Sequence, residues 1–268
     1  MLEPMVLIGS HVDSIDPVGD AVERGAQVVQ VLLGDPQKWT GPVVEYPGGA
    51  EALRDAAAAA GIALVVHAPY ILNVASTNNR VRIPSRQLLQ KTVIAAAEIG
   101  AFGVVVHGGH VGEADDPSAG VENWFKVVDG LELPVPIFIE NTAGGTRAMA
   151  RALDAWRALW AGISAAAGAP QVGVCLDTCH AHAAGLDLHT VATDLRAITG
   201  RIDLVHANDS RDAAGSGADR HANLGQGQID PDALITAVRD AKAPVVVETP
   251  GPAAAQAADI AWLRQRLG

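Results

Sequence analysis

The chain is poor in aromatic side chains, which make up only 4% of its 268 residues. A core of this size must therefore be filled by Ala, Val, Leu and Ile. Cysteine is nearly absent: Cys175 and Cys179 are the only two, four positions apart. With Val174–Asp177 read as a strand, Cys175 lies in it and Cys179 in the turn after it, which argues against a disulfide and fits a reducing compartment. No run of 18 apolar residues occurs, and the first residues lack a basic-then-apolar signal pattern, so a soluble cytoplasmic protein with no membrane contact is expected. Positive charge is also in short supply, 19 Lys and Arg against 30 Asp and Glu, a net charge of -11. Taken alone, that opposes nucleic-acid binding, which usually leaves a basic footprint. Carboxylates that hold metal ions are counted in this sum, however, and three divalent cations would leave a balance of about -5.

What is abundant is hydrophobic sequence, 49% of the chain, in short runs separated by helix-like segments. Eight runs read as strands: 5–9, Val28–Leu33, Ala63–His67, Gly103–His107, Val135–Glu140, Val172–Asp177, Ile202–His206 and Pro244–Glu248. They are nearly continuous in hydrophobicity, as parallel strands buried on both faces should be. Helices are expected over Glu51–Ala60, Ser85–Ile99, Arg147–Ile163, from Asp230-Pro231 onward and over Ala258–Leu267. Eight β-then-α units predict a single α/β domain over residues 1–268, a (β/α)8 TIM barrel with its active site at the C-terminal ends of the strands. No Gly-rich dinucleotide fingerprint follows the first strand. The Gly/Asp-rich stretch Asp212–Arg220 is a long loop in a compact domain, and such loops are often functional.

Six consecutive strands end in a histidine or a carboxylate: His67, His107, Glu140, Asp177, His206 and Glu248. Closing the barrel draws these ends into one ring, where imidazoles and carboxylates repel or stay unsatisfied unless a cation compensates. Divalent metal is the simplest solution, and a mixed His/carboxylate set suits zinc, with manganese or iron as alternatives. His180, in Asp177-Thr178-Cys179-His180, and the pair Asp219 and His221 on one side of an extended segment offer a further metal site. One histidine at a strand end is ordinarily a hydrogen-bonded barrel residue, and a lone Asp-x-His is ordinarily a turn. The joint placement of six at strand ends is what argues otherwise. His11, His110, His182 and His189 read as supporting or surface groups, and the cysteines as packing residues.

Several segments resemble the endonuclease IV family of apurinic/apyrimidinic (AP) endonucleases: Gly9-Ser10-His11-Val12, His67-Ala68-Pro69-Tyr70, Ile139-Glu140-Asn141-Thr142-Ala143-Gly144, Cys175-Leu176-Asp177-Thr178-Cys179-His180, His206-Ala207-Asn208-Asp209-Ser210, Asp219-Arg220-His221-Ala222-Asn223-Leu224-Gly225 and Glu248-Thr249. They run in family order along nearly the whole chain. The resemblance implies three Zn2+ ions and hydrolysis of the phosphodiester 5′ to an abasic site in double-stranded DNA. It implies one metal on His67, His107 and Glu140, a second on Glu140, Asp177, His206 and Glu248, and a third on His180, Asp219 and His221, with Glu140 bridging and catalytic. DNA contacts are expected from loop residues at this face, foremost Lys38, Tyr70, Ile71 and Arg220, with Tyr70-Ile71 as a wedge beside a flipped-out nucleotide. Two positions depart from the family pattern: His107-Gly108-Gly109 stands where many members have His-Pro-Gly, and Gln37 where many carry Arg. A monomer is expected. Two other readings remain: a sugar isomerase-like barrel with one or two metals, and a metal-dependent DNA-binding module without catalysis.

Overall fold

The computed structural model describes residues 6–268. Eight parallel strands close into a barrel in the order β1-β10-β7-β6-β5-β4-β3-β2. They are β1 (Ile8–His11), β2 (Val28–Leu32), β3 (Ala63–His67), β4 (Val104–His107), β5 (Ile137–Glu140), β6 (Val172–Asp177), β7 (Leu204–His206) and β10 (Val245–Val247). Short β8 (Asp209–Ser210) and β9 (His221–Ala222) pair antiparallel at the mouth. The helices are α1 (Pro17–Arg24), α2 (Gly49–Ala60), α3 (Asn79–Glu98), α4 (Pro117–Gly130), α5 (Leu153–Ile163), α6 (Thr178–Ala184), α7 (Val191–Thr199), α8 (Pro231–Ala241) and α9 (Ala253–Leu267). Among the described residues no helix is long and apolar enough to cross a membrane.

The strands are short because they are continuous only where both faces are buried. Side chains alternate, so each strand sends every second residue into the lumen. Val28, Val65, Val105, Phe138, Cys175, Leu204 and Val246 form one apolar cluster that plugs the barrel. Two positions further along the same strands stand Gln30, His67, His107, Glu140, Asp177, His206 and Glu248. Seven of the eight runs, all but β1, thus contribute one apolar residue to the floor and one polar residue to the rim. The alternate set, including Val29, Val31, Leu64, Val66, Ile137, Ile139 and Leu176, packs outward against the helices as the main core. Phe138 is the one large ring in the plug, and Gly103 and Gly173 make room for it: a Cβ on Gly103 would sit 2.4 Å from that ring.

Several expected boundaries move. The first strand is Ile8–His11 rather than 5–9, so it ends at His11, and residue 5 of the expected run lies outside the described residues. Pro136 and Pro244, which carry no N–H, fall just before β5 and β10. Glu248 lies one residue beyond β10 rather than ending it. Helix α3 starts at Asn79, not near Ser85; Asn78 caps it by accepting from the Arg80 N–H at 2.9 Å, and the helix runs through Pro84. The Ser85 hydroxyl instead bonds back to the Val81 carbonyl and accepts from Asn73 N–H. The helix expected from Arg147 begins only at Leu153. Residues 147–150 instead lie alongside the turn after β4, with Met149 N–H donating to the Gly109 carbonyl at 2.9 Å and Thr142 N–H to that of Ala150 at 3.2 Å. Asp230 caps α8 ahead of Pro231, and Gly61 closes α2 at φ +68°, both as expected.

Candidate metal centre

All nine residues expected as ligands converge at the C-terminal mouth. Parallel register does much of this, setting His107 opposite Glu140 and Asp177 opposite His206. Three sets have donor atoms within 4.8 Å of one another: His67, His107 and Glu140; Glu140, Asp177, His206 and Glu248; His180, Asp219 and His221. Glu140 belongs to two of them and is buried. Its Oε2 lies 3.2 Å from Nε2 of both His67 and His107, and its Oε1 3.1 Å from Nδ1 of His206.

Helix α6 follows β6 without a connecting loop because Asp177 is its N-cap, accepting from His180 N–H at 2.6 Å. That turn aims His180 into the mouth. The β8–β9 hairpin carries Asp219 and His221 back over the mouth. Buried Asp209 holds that segment, accepting from the N–H groups of Ser210, Gly225, Gly227 and Ile229.

The tautomers follow from acceptors on the far side of each ring. His67 Nδ1 faces the Ala68 carbonyl at 2.7 Å, His180 Nδ1 that of Asn141 at 2.9 Å and His221 Nδ1 that of Glu248 at 3.2 Å. A carbonyl only accepts, so each of these nitrogens carries the proton and Nε2 turns a lone pair inward. The lone pairs meet carboxylates: Asp219 lies 3.1 Å from Nε2 of His180 and 3.1 Å from Nε2 of His221. Among the described residues both Nε2 atoms are buried with no hydrogen-bond partner. Close approach without hydrogen-bond geometry is what donors aimed at a shared cation show. On this ground the residues fit divalent metal, with second partners that hold each imidazole.

Without cations, protons must do that work. Burial opposes charge on His180 and His206, but Asp177 with Asp219 for the first, and Cys175, Glu248 and Glu140 for the second, raise both well above the usual histidine range. His221, against burial, is lifted to about 9 by Asp219, Asp177 and Glu248. Burial would raise Glu248 too, yet His206 holds it down at about 2. Asp177, by contrast, is pushed upward, burial outweighing His180 and His221.

Cys179 forms a further grouping with Asp177 and His221. Burial, then Asp177, pushes its thiol up to about 12, which keeps it protonated in the metal-free protein. Both cysteines are free, as expected.

The loop residues divide. Tyr70 is 47% exposed and stands at the rim, while Ile71 is half-buried, its N–H bonded to the Pro36 carbonyl of the β2–α2 loop. Lys38 is exposed and paired with Asp35 at 2.8 Å, and Arg220 is forked onto Asp212. Tyr70, Ile71, His107, Thr142, His180 and Asp219 line a cavity of about 320 Å³ beside the ligands. A larger hollow of about 820 Å³ lies on the barrel flank between α3 and α4 and contains none of the strand-end residues.

Sequence reasoning passed over Gln30, Asn141 and Asn208. Gln30 is the one polar residue in its apolar run, two positions after Val28, and that spacing alone places it on the rim. Its amide touches His206, Glu248 and His11. His11 ends β1 as a supporting group, held down to about 4 by burial. Asn141 bonds both backbone groups of Asp177, and Asn208 reaches Asp177 Oδ2 at 2.7 Å.

Residues 18–266 match the family described as xylose isomerase-like TIM barrel. The chain is 54% identical over 263 residues to the probable endonuclease 4 of Mycobacterium tuberculosis (strain ATCC 25177 / H37Ra), covering 98% of this chain and 100% of that one. It is 52% identical over 261 residues to that of Mycobacterium leprae, covering 97% and 99%. Among solved structures, endonuclease IV from Thermus thermophilus superposes with a TM-score of 0.83 at 28% identity, covering 97% of this chain and 98% of that one. A D-tagatose 3-epimerase-like protein superposes at 0.77 with 20% identity over 97% of each chain, which is likeness of fold alone. By its full-length relatives and its barrel, the chain belongs to the endonuclease IV family within the xylose isomerase-like TIM barrels.

Proposed function

We propose that this protein is a DNA-repair endonuclease. Its reaction is hydrolysis of the phosphodiester 5′ to an abasic site, leaving a 3′-hydroxyl and a 5′-deoxyribose phosphate. The residues at the mouth would hold three divalent ions, zinc foremost, with manganese or iron able to take one or more places. The observation that carries this reading is the third set, His180, Asp219 and His221, standing beside the strand-end ring and sharing the same mouth. A sugar isomerase-like barrel has no need of it.

When bound, such ions supply an activated water and neutralise phosphate charge. The chain's own part is to fix the donors. Backbone carbonyls hold His67, His180 and His221 with their lone pairs inward. Glu140, in two donor sets, ties those sets together. Asn141 and Asn208 hold Asp177, and the apolar plug below excludes water from beneath. Tyr70 and Ile71 stand where an extruded abasic sugar would enter the rim cavity. Extrusion costs least where a base is already missing, which favours abasic sites over intact DNA. Lys38 and Arg220 would meet backbone phosphates by exchanging their present acidic partners. The enzyme is expected to act as a monomer in the cytoplasm.

Two measurements test this together. Metal analysis of purified protein should find three ions per chain; one or two would favour the isomerase reading. A duplex with one abasic analogue should be cut on its 5′ side. Intact DNA that is bound by fully loaded protein would leave a binding module instead.

A further inference from the structure

Gln30 is completely buried on β2 and faces the rim, where no metal ligand is expected of it. Its orientation is forced. One end lies 2.6 Å from Glu248 Oε1, and a carboxylate at that distance demands a donor, so this end is the amide NH2. The same NH2 lies 3.2 Å from His11 Nδ1. The carbonyl end, Oε1, therefore faces His206 Nε2 at 2.8 Å. A carbonyl accepts only, so His206 Nε2 carries the proton and Nδ1 is left with its lone pair. That lone pair points at Glu140 Oε1 (3.1 Å), Glu248 Oε2 (3.3 Å) and Asp177 Oδ2 (4.0 Å). His206 differs here from His67, His180 and His221, whose outer nitrogens are held by backbone carbonyls. Its tautomer depends on one side chain, and the same side chain holds one oxygen of Glu248.

We propose that Gln30 is a positioning residue for one cation of the centre, that of Glu140, Asp177, His206 and Glu248. It presents His206 Nδ1 and orients Glu248 together, while the other two sets stand independent of it. This inference rests on the reading of the mouth as a metal centre. Partners of this kind typically contribute about 10- to 100-fold in metal affinity.

The test compares Gln30→Met, which removes both contacts at similar length, with Gln30→Glu. The glutamate keeps an acceptor for His206 Nε2–H but loses the donor to Glu248 and sets a second carboxylate against it. Protein loaded with Zn2+ is dialysed against graded chelator and its metal content measured. Wild type should hold three ions. Both variants should release one of them at about 10- to 100-fold less chelator and keep the other two as wild type does. Ring 15N shifts of His206 supply a second readout, which a merely structural role would not move. In zinc-loaded protein the His206 Nε2–H signal should keep its hydrogen-bonded position in Gln30→Glu and move upfield in Gln30→Met, where that acceptor is gone. Wild-type retention curves in both variants, or an unchanged His206 pattern in Gln30→Met, overturn the proposal. If Gln30→Met fails to fold by circular dichroism, retention in Gln30→Glu decides alone. A wild-type protein that takes up fewer than three ions overturns the metal-centre reading, and this proposal with it.

Discussion

Tyr70 lies flat against His107, with ring centroids 5.9 Å apart and 15° between the planes. An aromatic ring that stands 47% exposed at the rim is thus seated on an expected metal ligand. Burial and the nearby Glu248 and Glu140 push its hydroxyl up to about 12, so the ring stays neutral when it meets DNA. Stacking of a base on such a ring is worth about 1–3 kcal/mol. Tyr70→Ala should weaken binding to an abasic duplex by about tenfold or more while leaving metal content and thermal stability close to wild type. Unchanged affinity in a fluorescence-anisotropy titration would reduce Tyr70 to a rim packing residue.

Glu140 has the most demanding position in the centre, since both its oxygens face imidazoles from four directions. In Glu140→Gln one oxygen becomes an NH2 that cannot serve as a ligand. Cleavage of the abasic duplex should fall by more than about 100-fold, with the far-ultraviolet dichroism of the barrel retained. Near-normal cleavage would end the bridging role.

The stability of the metal-free protein should depend on pH with a definite sign. His221 is raised from 6.5 to about 9, so its contribution is complete below about pH 6.5 and disappears as pH climbs through 9. Glu248 is lowered from 4.5 to about 2, so its contribution is present above 4.5 and disappears toward 2. Urea denaturation in chelator should therefore show the highest midpoint between these limits and a decline on the alkaline side. Cation uptake requires neutral imidazoles, so zinc affinity should rise over the same alkaline range, with protons released on binding. An alkaline increase in metal-free stability would contradict this charge assignment.

The turn after His107 gives a prediction about the departure from the family pattern. Gly108 donates its N–H to the Glu140 carbonyl at 3.1 Å and accepts from Trp124 Nε1 at 2.8 Å. A Cβ at this position would stand 2.4 Å from Cβ of Ala150. Gly108→Pro should destabilise this protein by about 1–3 kcal/mol. Ala150→Gly in the same chain should recover the steric part of that loss but not the hydrogen bond from Gly108 N–H to the Glu140 carbonyl. A double-mutant cycle with no coupling would mean that the backbone moves aside freely.

Much of the barrel was legible because buried parallel strands leave continuous Val and Ile runs, six of which close on a histidine or carboxylate at the mouth. Eight runs and six of the nine expected ligand positions were read that way, while His180, Asp219 and His221 were read from loop motifs. Gln30 was missed for a related reason. Looking at the last residue of each run favours strands that stop at a ligand, whereas β2 continues two residues past its rim position. Counting two from each floor residue finds Gln30 as readily as His67. The pairing of residues 147–150 with the turn after β4 was hidden, because helical periodicity in Arg147–Ile163 reports the apolar face of α5 and not where that helix begins.

Closure of the barrel by β10 against β1 also sets a schedule. During synthesis the ribosome releases His67, His107, Glu140, Asp177, His180, His206, Asp219 and His221 before Glu248. Until that last segment emerges the sheet has a gap between β1 and β7, and no wall stands behind His206. If the mouth holds metal as proposed, the four-donor set of Glu140, Asp177, His206 and Glu248 is complete only once β10 has closed the sheet.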